Sequence, residues 1–104
     1  MKVKFTVEAI RWFDKINGNT YHSVKITNNE TGEQIAHPFT YGYGDSYRQS
    51  TFEVMLSNKW LPEKYNRDNV YEYERQNDYP IQWIVSEGLK RDCIAHGLIN
   101  KGGA

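Results

Sequence analysis

Disulfides are excluded from this chain, because its 104 residues include a single cysteine, Cys93. A lone thiol fits a reducing compartment better than an oxidising one. Charge of one sign is also lacking: thirteen basic residues balance thirteen acidic ones. No whole-protein field therefore steers the chain to nucleic acid or to an anionic membrane, although a local basic patch stays open. Long apolar runs are missing too, which argues against a signal peptide or a membrane span. Met1 to Phe5 already reads as strand, and a cytoplasmic location in a host bacterial cell is expected. Neither an internal repeat nor a linker divides the sequence. One domain over 1–100 and a frayed tail over 101–104 are expected.

Aliphatic residues are scarce and aromatics abundant, with rings at 14% of the chain and eight tyrosines among them. Large rings can offset the missing aliphatic area. The composition argues against disorder. The one acidic bias lies between Leu61 and Pro80, where Glu63, Asp68, Glu72, Glu74 and Asp78 outnumber Lys64, Arg67 and Arg75.

Val3, Phe5, Val7 and Ala9 alternate with polar residues, the period of a half-buried strand. The apolar phase then slips to Ile10 and Trp12, which predicts a β-bulge near Ala9. Asn17-Gly18-Asn19 signals a hairpin. A three-residue loop there sets Ile10 opposite Ile26 and Trp12 opposite Val24. A third strand runs from Glu33 to Thr40; Pro38, which cannot donate to a ladder, sets it at an edge or ends it there. If it pairs Ile26 with Ile35, then Val24 opposes His37 and His22 opposes Phe39. Ser46 and Gln49 have the spacing of a capping box, and a helix from Tyr47 to Trp60 follows with Phe52, Met55, Leu56 and Trp60 as its stripe. Asn69 to Gln76 reads as a short helix or an edge strand. Ile81 to Ser86 is a strand, and Leu89 to His96 is a short helix ended by Gly97, or a return strand. The predicted fold is α+β, in the order β-β-β-α-β-α, with an antiparallel sheet of about four strands packed against one long helix.

Chemistry-bearing groups are few. His22 and His37 are expected as diagonal neighbours on one sheet face, but zinc needs three or four ligands and no ligand spacing is present. Cys93 and His96 share a helical face without a base-orienting partner, so Cys93 reads as a small core residue. Tyr41-Gly42-Tyr43-Gly44-Asp45-Ser46-Tyr47 places glycines between aromatics just before a helix. It lacks the lysine and spacing of a P-loop and the βαβ setting of a dinucleotide fingerprint. It reads either as a tight strand-to-helix turn or as a recognition surface of rigid rings. No catalytic, cofactor-binding or metal-binding residue is assigned.

Three segments carry a resemblance: Trp12 to Val24, Tyr41-Gly42-Tyr43-Gly44-Asp45 with Tyr47 and Gln49, and Leu89-Lys90-Arg91-Asp92. Together they resemble a group of short proteins of unknown function encoded by bacteriophages and related mobile elements. The resemblance implies a phage setting and transfers no catalytic residue. In that setting the expected role is a non-enzymatic protein-binding module, such as an anti-CRISPR-like inhibitor of a host defence complex. Its expected contact surface is Tyr41, Tyr43, Asp45, Tyr47, Arg48, Tyr71, Glu72, Tyr73 and Glu74. The partner would be a host or phage protein, with the chain itself a monomer or homodimer and no membrane or cofactor involved. The alternative is a single-strand nucleic-acid binder, with Trp12, Lys15, Lys25, Lys90 and Arg91 joining the loop tyrosines.

Overall fold

The alternation at Phe5, Val7 and Ala9 carries into strand β1 (Phe5–Asp14) in the computed structural model, which describes residues 3–98. The expected tail, 101–104, lies outside the described residues. Strands β2 (Asn19–Asn28) and β3 (Gln34–Tyr41) follow, then helices α1 (Tyr47–Ser57) and α2 (Val70–Gln76), strand β4 (Ile81–Glu87) and helix α3 (Lys90–His96). The fold is α+β, with a four-stranded sheet in the order β3-β2-β1-β4. Of the two outcomes Pro38 allowed, the edge holds: β3 lies at one side of the sheet and runs on through Pro38 to Tyr41.

Two features of the expected architecture are corrected. The sheet is mixed rather than antiparallel, because β4 pairs parallel to β1. β3 runs in the direction of β1, and the helical segment then carries the chain back across one face. β4 must start from the same end as β1 and so run parallel to it. The long helix expected to Trp60 stops at Ser57 and does not cover the sheet alone: of the two readings of Asn69 to Gln76 the short helix holds, and this α2 lies between α1 and β4, while α3 forms as the short helix expected after Leu89. Val70, Tyr73 and Glu74 are the buried positions of α2, spaced i, i+3, i+4. One of the three is a carboxylate, which masks the stripe in the sequence.

The first hairpin is also corrected. Val7 faces Ile26, Ala9 faces Val24 and Trp12 faces Tyr21. The Asp14 carboxylate accepts hydrogen bonds from the Ile16 and Asn17 amides and from the Asn17 side chain. That cluster closes a turn over 15–18, with Gly18 at a φ of 71°. The expected bulge near Ala9 is absent, for β1 pairs with β2 without interruption. Its change of apolar phase has a different cause: both faces of the sheet are covered. Phe5, Val7 and Ala9 pack with Phe52 and Met55 of α1 and with Val70 and Tyr73 of α2. Ile10 and Trp12 point to the other face, where α3 lies. The irregularity falls instead in the second hairpin, between His22 and Val24. Ile26 faces Ile35 and Val24 faces His37 as expected, but His22 faces Thr40 rather than Phe39.

Helix α3 is fastened by side chains. Ser23 donates to the Cys93 carbonyl at 2.5 Å, the Cys93 thiol to the Ile10 carbonyl at 3.2 Å, and the His96 Nε2–H to the Glu8 carbonyl at 2.7 Å. Gly97 ends the helix, though its φ is −78° and it uses no left-handed backbone. A Cβ there would meet the Pro38 Cα at 2.9 Å and the His37 carbonyl at 3.0 Å. Glycine is needed for close approach to β3. Among the described residues, no helix is long and apolar enough to cross a membrane.

Candidate functional site

The loop from Tyr41 to Ser46 begins where β3 ends, and it is held from below. Gly42 lies on the His22 ring; a Cβ would come within 2.7 Å of His22 Cε1. Gly44 turns the chain at a φ of 55°. The Arg11 guanidinium donates to the Gly44 carbonyl at 3.2 Å while pairing with Glu87 at 2.7 Å. The expected capping box does not form. With the chain turned at Gly44, Ser46 donates back to the Tyr43 carbonyl at 2.6 Å, and Gln49 reaches Asp68 at 3.1 Å.

This anchoring presents Tyr41 and Tyr43 at 50% and 55% exposure. Their rings meet edge to face with centroids 5.1 Å apart. They end a continuous aromatic row on the sheet face opposite α1. Trp12 contacts Tyr21 at 5.5 Å, Tyr21 stacks on Phe39 at 5.0 Å, and Tyr21 meets Tyr41 edgewise at 5.7 Å. The Lys90 ammonium sits 5.3 Å above the Trp12 ring. The hydrogen bond with Tyr43 holds the Tyr41 phenol above its ordinary pKa.

Past Gly44, the same loop forms one wall of a cleft of about 250 Å³ between the start of α1 and α2. Asp45, Arg48, Gln49, Arg67, Asp68 and Tyr71 line it. The exposed Tyr71 donates to the Asp45 carboxylate, which raises the phenol's pKa. Arg48 forms the floor: it pairs with Glu74 at 3.0 Å and lies 4.6 Å above the Trp83 ring. Trp83 donates its indole N–H to the second Glu74 oxygen at 3.2 Å.

The structure therefore divides the expected contact surface. Tyr41, Tyr43, Asp45 and Tyr71 are exposed, Glu72 is exposed on α2, and Arg48 is partly buried. Tyr47, Tyr73 and Glu74 are corrected: they are buried supports rather than contact residues. Tyr47 packs against Trp83, and Tyr73 sits between Phe52 and Tyr65. Of the nucleic-acid candidates, Trp12 and Lys90 join the aromatic row. Lys25 is on the same sheet face, four residues along β2 from Tyr21, while Lys15 stands in the first turn and Arg91 is exposed on α3. Tyr21, Phe39, Arg11, Gln49, Arg67 and Asp68 were not among the expected contact residues, although Gln49 stood in the expected capping box and Arg67 and Asp68 in the acidic segment. The correct hairpin register, which pairs Trp12 with Tyr21, would have revealed the row.

His22 shares its sheet face with His37 as expected, but each ring has its own partner. His22 Nε2 is 2.7 Å from Ser50 Oγ, and His37 Nδ1 donates to the Pro38 carbonyl at 2.8 Å. Burial, with the neighbouring His37 second, lowers the His22 pKa to about 4. Among the described residues, no group of three or more His, Cys, Asp or Glu side chains is placed to hold a metal ion. The Cys93 thiol is buried and its pKa raised by that burial, against the opposing effect of hydrogen bonds to Ser23. A thiol-labelling reagent is expected to react with Cys93 only as fast as the protein unfolds. Rapid labelling of the native protein would contradict this packing.

Comparison of the chain with protein-family models, with curated protein sequences and with solved structures finds no match.

Proposed function

We propose that this chain is a small non-enzymatic protein-binding module of bacteriophage type, acting in the cytoplasm of a host cell on a host or phage protein. An anti-CRISPR-like inhibitor of a host defence complex is its concrete form. The phage setting rests on the sequence resemblance alone. The observation that carries the binding role is the anchored loop. It presents two half-exposed tyrosines at the end of the aromatic row and carries Asp45 into the wall of the Tyr71 cleft, so that rigid rings and charge flank both sides of one loop. Tyrosine supplies large contact area at low entropic cost, and such rings dominate interface energetics. The tyrosine-bearing segment from Glu63 to Tyr79, with Glu63, Asp68, Glu72 and Asp78 exposed, suits a partner with a basic site. Immobilised protein is expected to retain a specific, stoichiometric partner from bacterial lysate, and Tyr41→Ala with Tyr43→Ala to lose at least about tenfold in affinity. Recovery of no specific protein, or equal recovery by the double variant, would oppose the reading.

A second reading has one specific support: Trp12, Lys90, Tyr41 and Tyr43 belong to one neighbourhood, as in single-strand binders. The zero net charge and the rings' mutual packing disfavour it, because Tyr21 and Phe39 already cover each other's faces at an interplanar angle of 7°. Titration with a labelled single-stranded oligonucleotide at low salt is expected to give no saturable signal. Tight, salt-sensitive binding would reverse the order of the two readings.

A further inference from the structure

The two edges of the sheet are built differently. At β3, Pro38 removes a donor and the register shift between His22 and Val24 distorts the ladder, both devices that discourage further pairing. β4 has neither. From Ile81 to Glu87 it carries no proline, lysine or irregularity, and its one charge, Glu87, is engaged by Arg11.

The parallel ladder fixes which backbone groups of β4 are unused. The Pro80 carbonyl accepts from the Phe5 amide, and the Gly88 amide donates to the Arg11 carbonyl. Even-numbered residues thus face β1, and the N–H and C=O groups of Ile81, Trp83, Val85 and Glu87 point outward. Among the described residues, none of these outward groups has a backbone partner. The strand also exposes one aliphatic side chain on each face, Ile84 at 46% and Val85 at 39%.

We propose that the outer edge of β4 pairs antiparallel with the same edge of a second copy, about a two-fold axis at Ile84. In this register the outward-facing residues oppose one another: Trp83 against the partner's Val85, and Ile81 against the partner's Glu87. These are the hydrogen-bonded pairs an antiparallel ladder needs, and every residue of β4 is used. Ile84 meets the partner's Ile84 on one face, and Val85 meets the partner's Trp83 on the other, so one register covers both exposed aliphatics. No like charges face each other, since each Glu87 lies opposite an isoleucine. The zero net charge sets no long-range repulsion between copies. The pairing is isologous and closes on itself, joining two four-stranded sheets into one.

A cysteine scan tests the register. Ile84→Cys places two thiols opposite each other in a non-hydrogen-bonded pair, within reach of a disulfide. Mild oxidation is expected to convert this variant to a covalent dimer at least about tenfold faster than Ser86→Cys, whose two copies stand apart in this register. Cys93 is buried and should not compete. Independently, the wild-type protein is expected to sediment as twice the 12.2 kDa chain mass, and Ile84→Lys as a single chain with an unchanged circular dichroism spectrum. A wild type that sediments as one chain at every concentration, or Ser86→Cys linking as fast as Ile84→Cys, would overturn the proposal.

Discussion

Arg48→Ala is expected to destabilise the fold by about 3 kcal/mol, the cost of leaving one partner of a buried ion pair uncompensated. Glu74 is only 5% exposed, and its two oxygens are held by Arg48 and by the Trp83 indole. Removing the guanidinium leaves a buried carboxylate with the Trp83 indole as its single neutral donor. It also removes the cation lying over the Trp83 ring. The expected readout is a lower urea midpoint in tryptophan fluorescence. Arg48→Met with Glu74→Leu together should recover most of the loss, because replacing both charges by apolar groups of similar volume removes the burial penalty as well as the attraction. A single variant within about 0.5 kcal/mol of wild type would show that the pair is solvated and that the floor of the cleft is looser than its geometry implies.

The second large effect concerns acid. His22 has a folded-state pKa of about 4 against an ordinary 6.5, mainly because its ring is buried. Its pKa is therefore depressed by folding, and the unfolded chain takes up a proton first as pH falls. The stability associated with a neutral His22 is complete above pH 6.5 and is lost progressively down to about pH 4. The loss reaches about 3 kcal/mol across that window. His22→Gln keeps a hydrogen-bonding group toward Ser50 without titrating there. The difference in stability between wild type and this variant should shift by that amount between pH 6.5 and 4 in the variant's favour. Parallel pH profiles would contradict the burial of the ring beneath Gly42.

Much of the strand framework was legible because side chains alternate and turns carry their own chemistry. Pro38 marked β3 as an edge strand or its end, and the register that sets Ile26 against Ile35 also sets Val24 against His37. The register of the first hairpin was not legible, because Asp14 rather than Asn17 begins the turn through its carboxylate. That error concealed the contact between Trp12 and Tyr21. The apolar slip at Ile10 suggested a bulge because a strand covered on both faces alternates on neither. The orientation of β4 depended on α2, whose buried stripe contains Glu74. For the site, Tyr41-Gly42-Tyr43-Gly44-Asp45 announced its rings and its turn. Which rings would be exposed was decided by tertiary packing: Tyr47 and Tyr73 turned inward, while Tyr71, beside Tyr73 on the same short helix, turned outward to Asp45.

The central claim is that a protein partner docks on the loop tyrosines. It is tested most directly by a photo-crosslinking phenylalanine analogue placed at position 43 and irradiated in bacterial lysate, with the same analogue at exposed Lys59 as comparison. A single covalent adduct of defined mass at position 43, absent at position 59 and suppressed by excess unlabelled wild-type protein, is the expected result. Identical adduct patterns at the two positions, or none at position 43, would contradict the assignment of this surface.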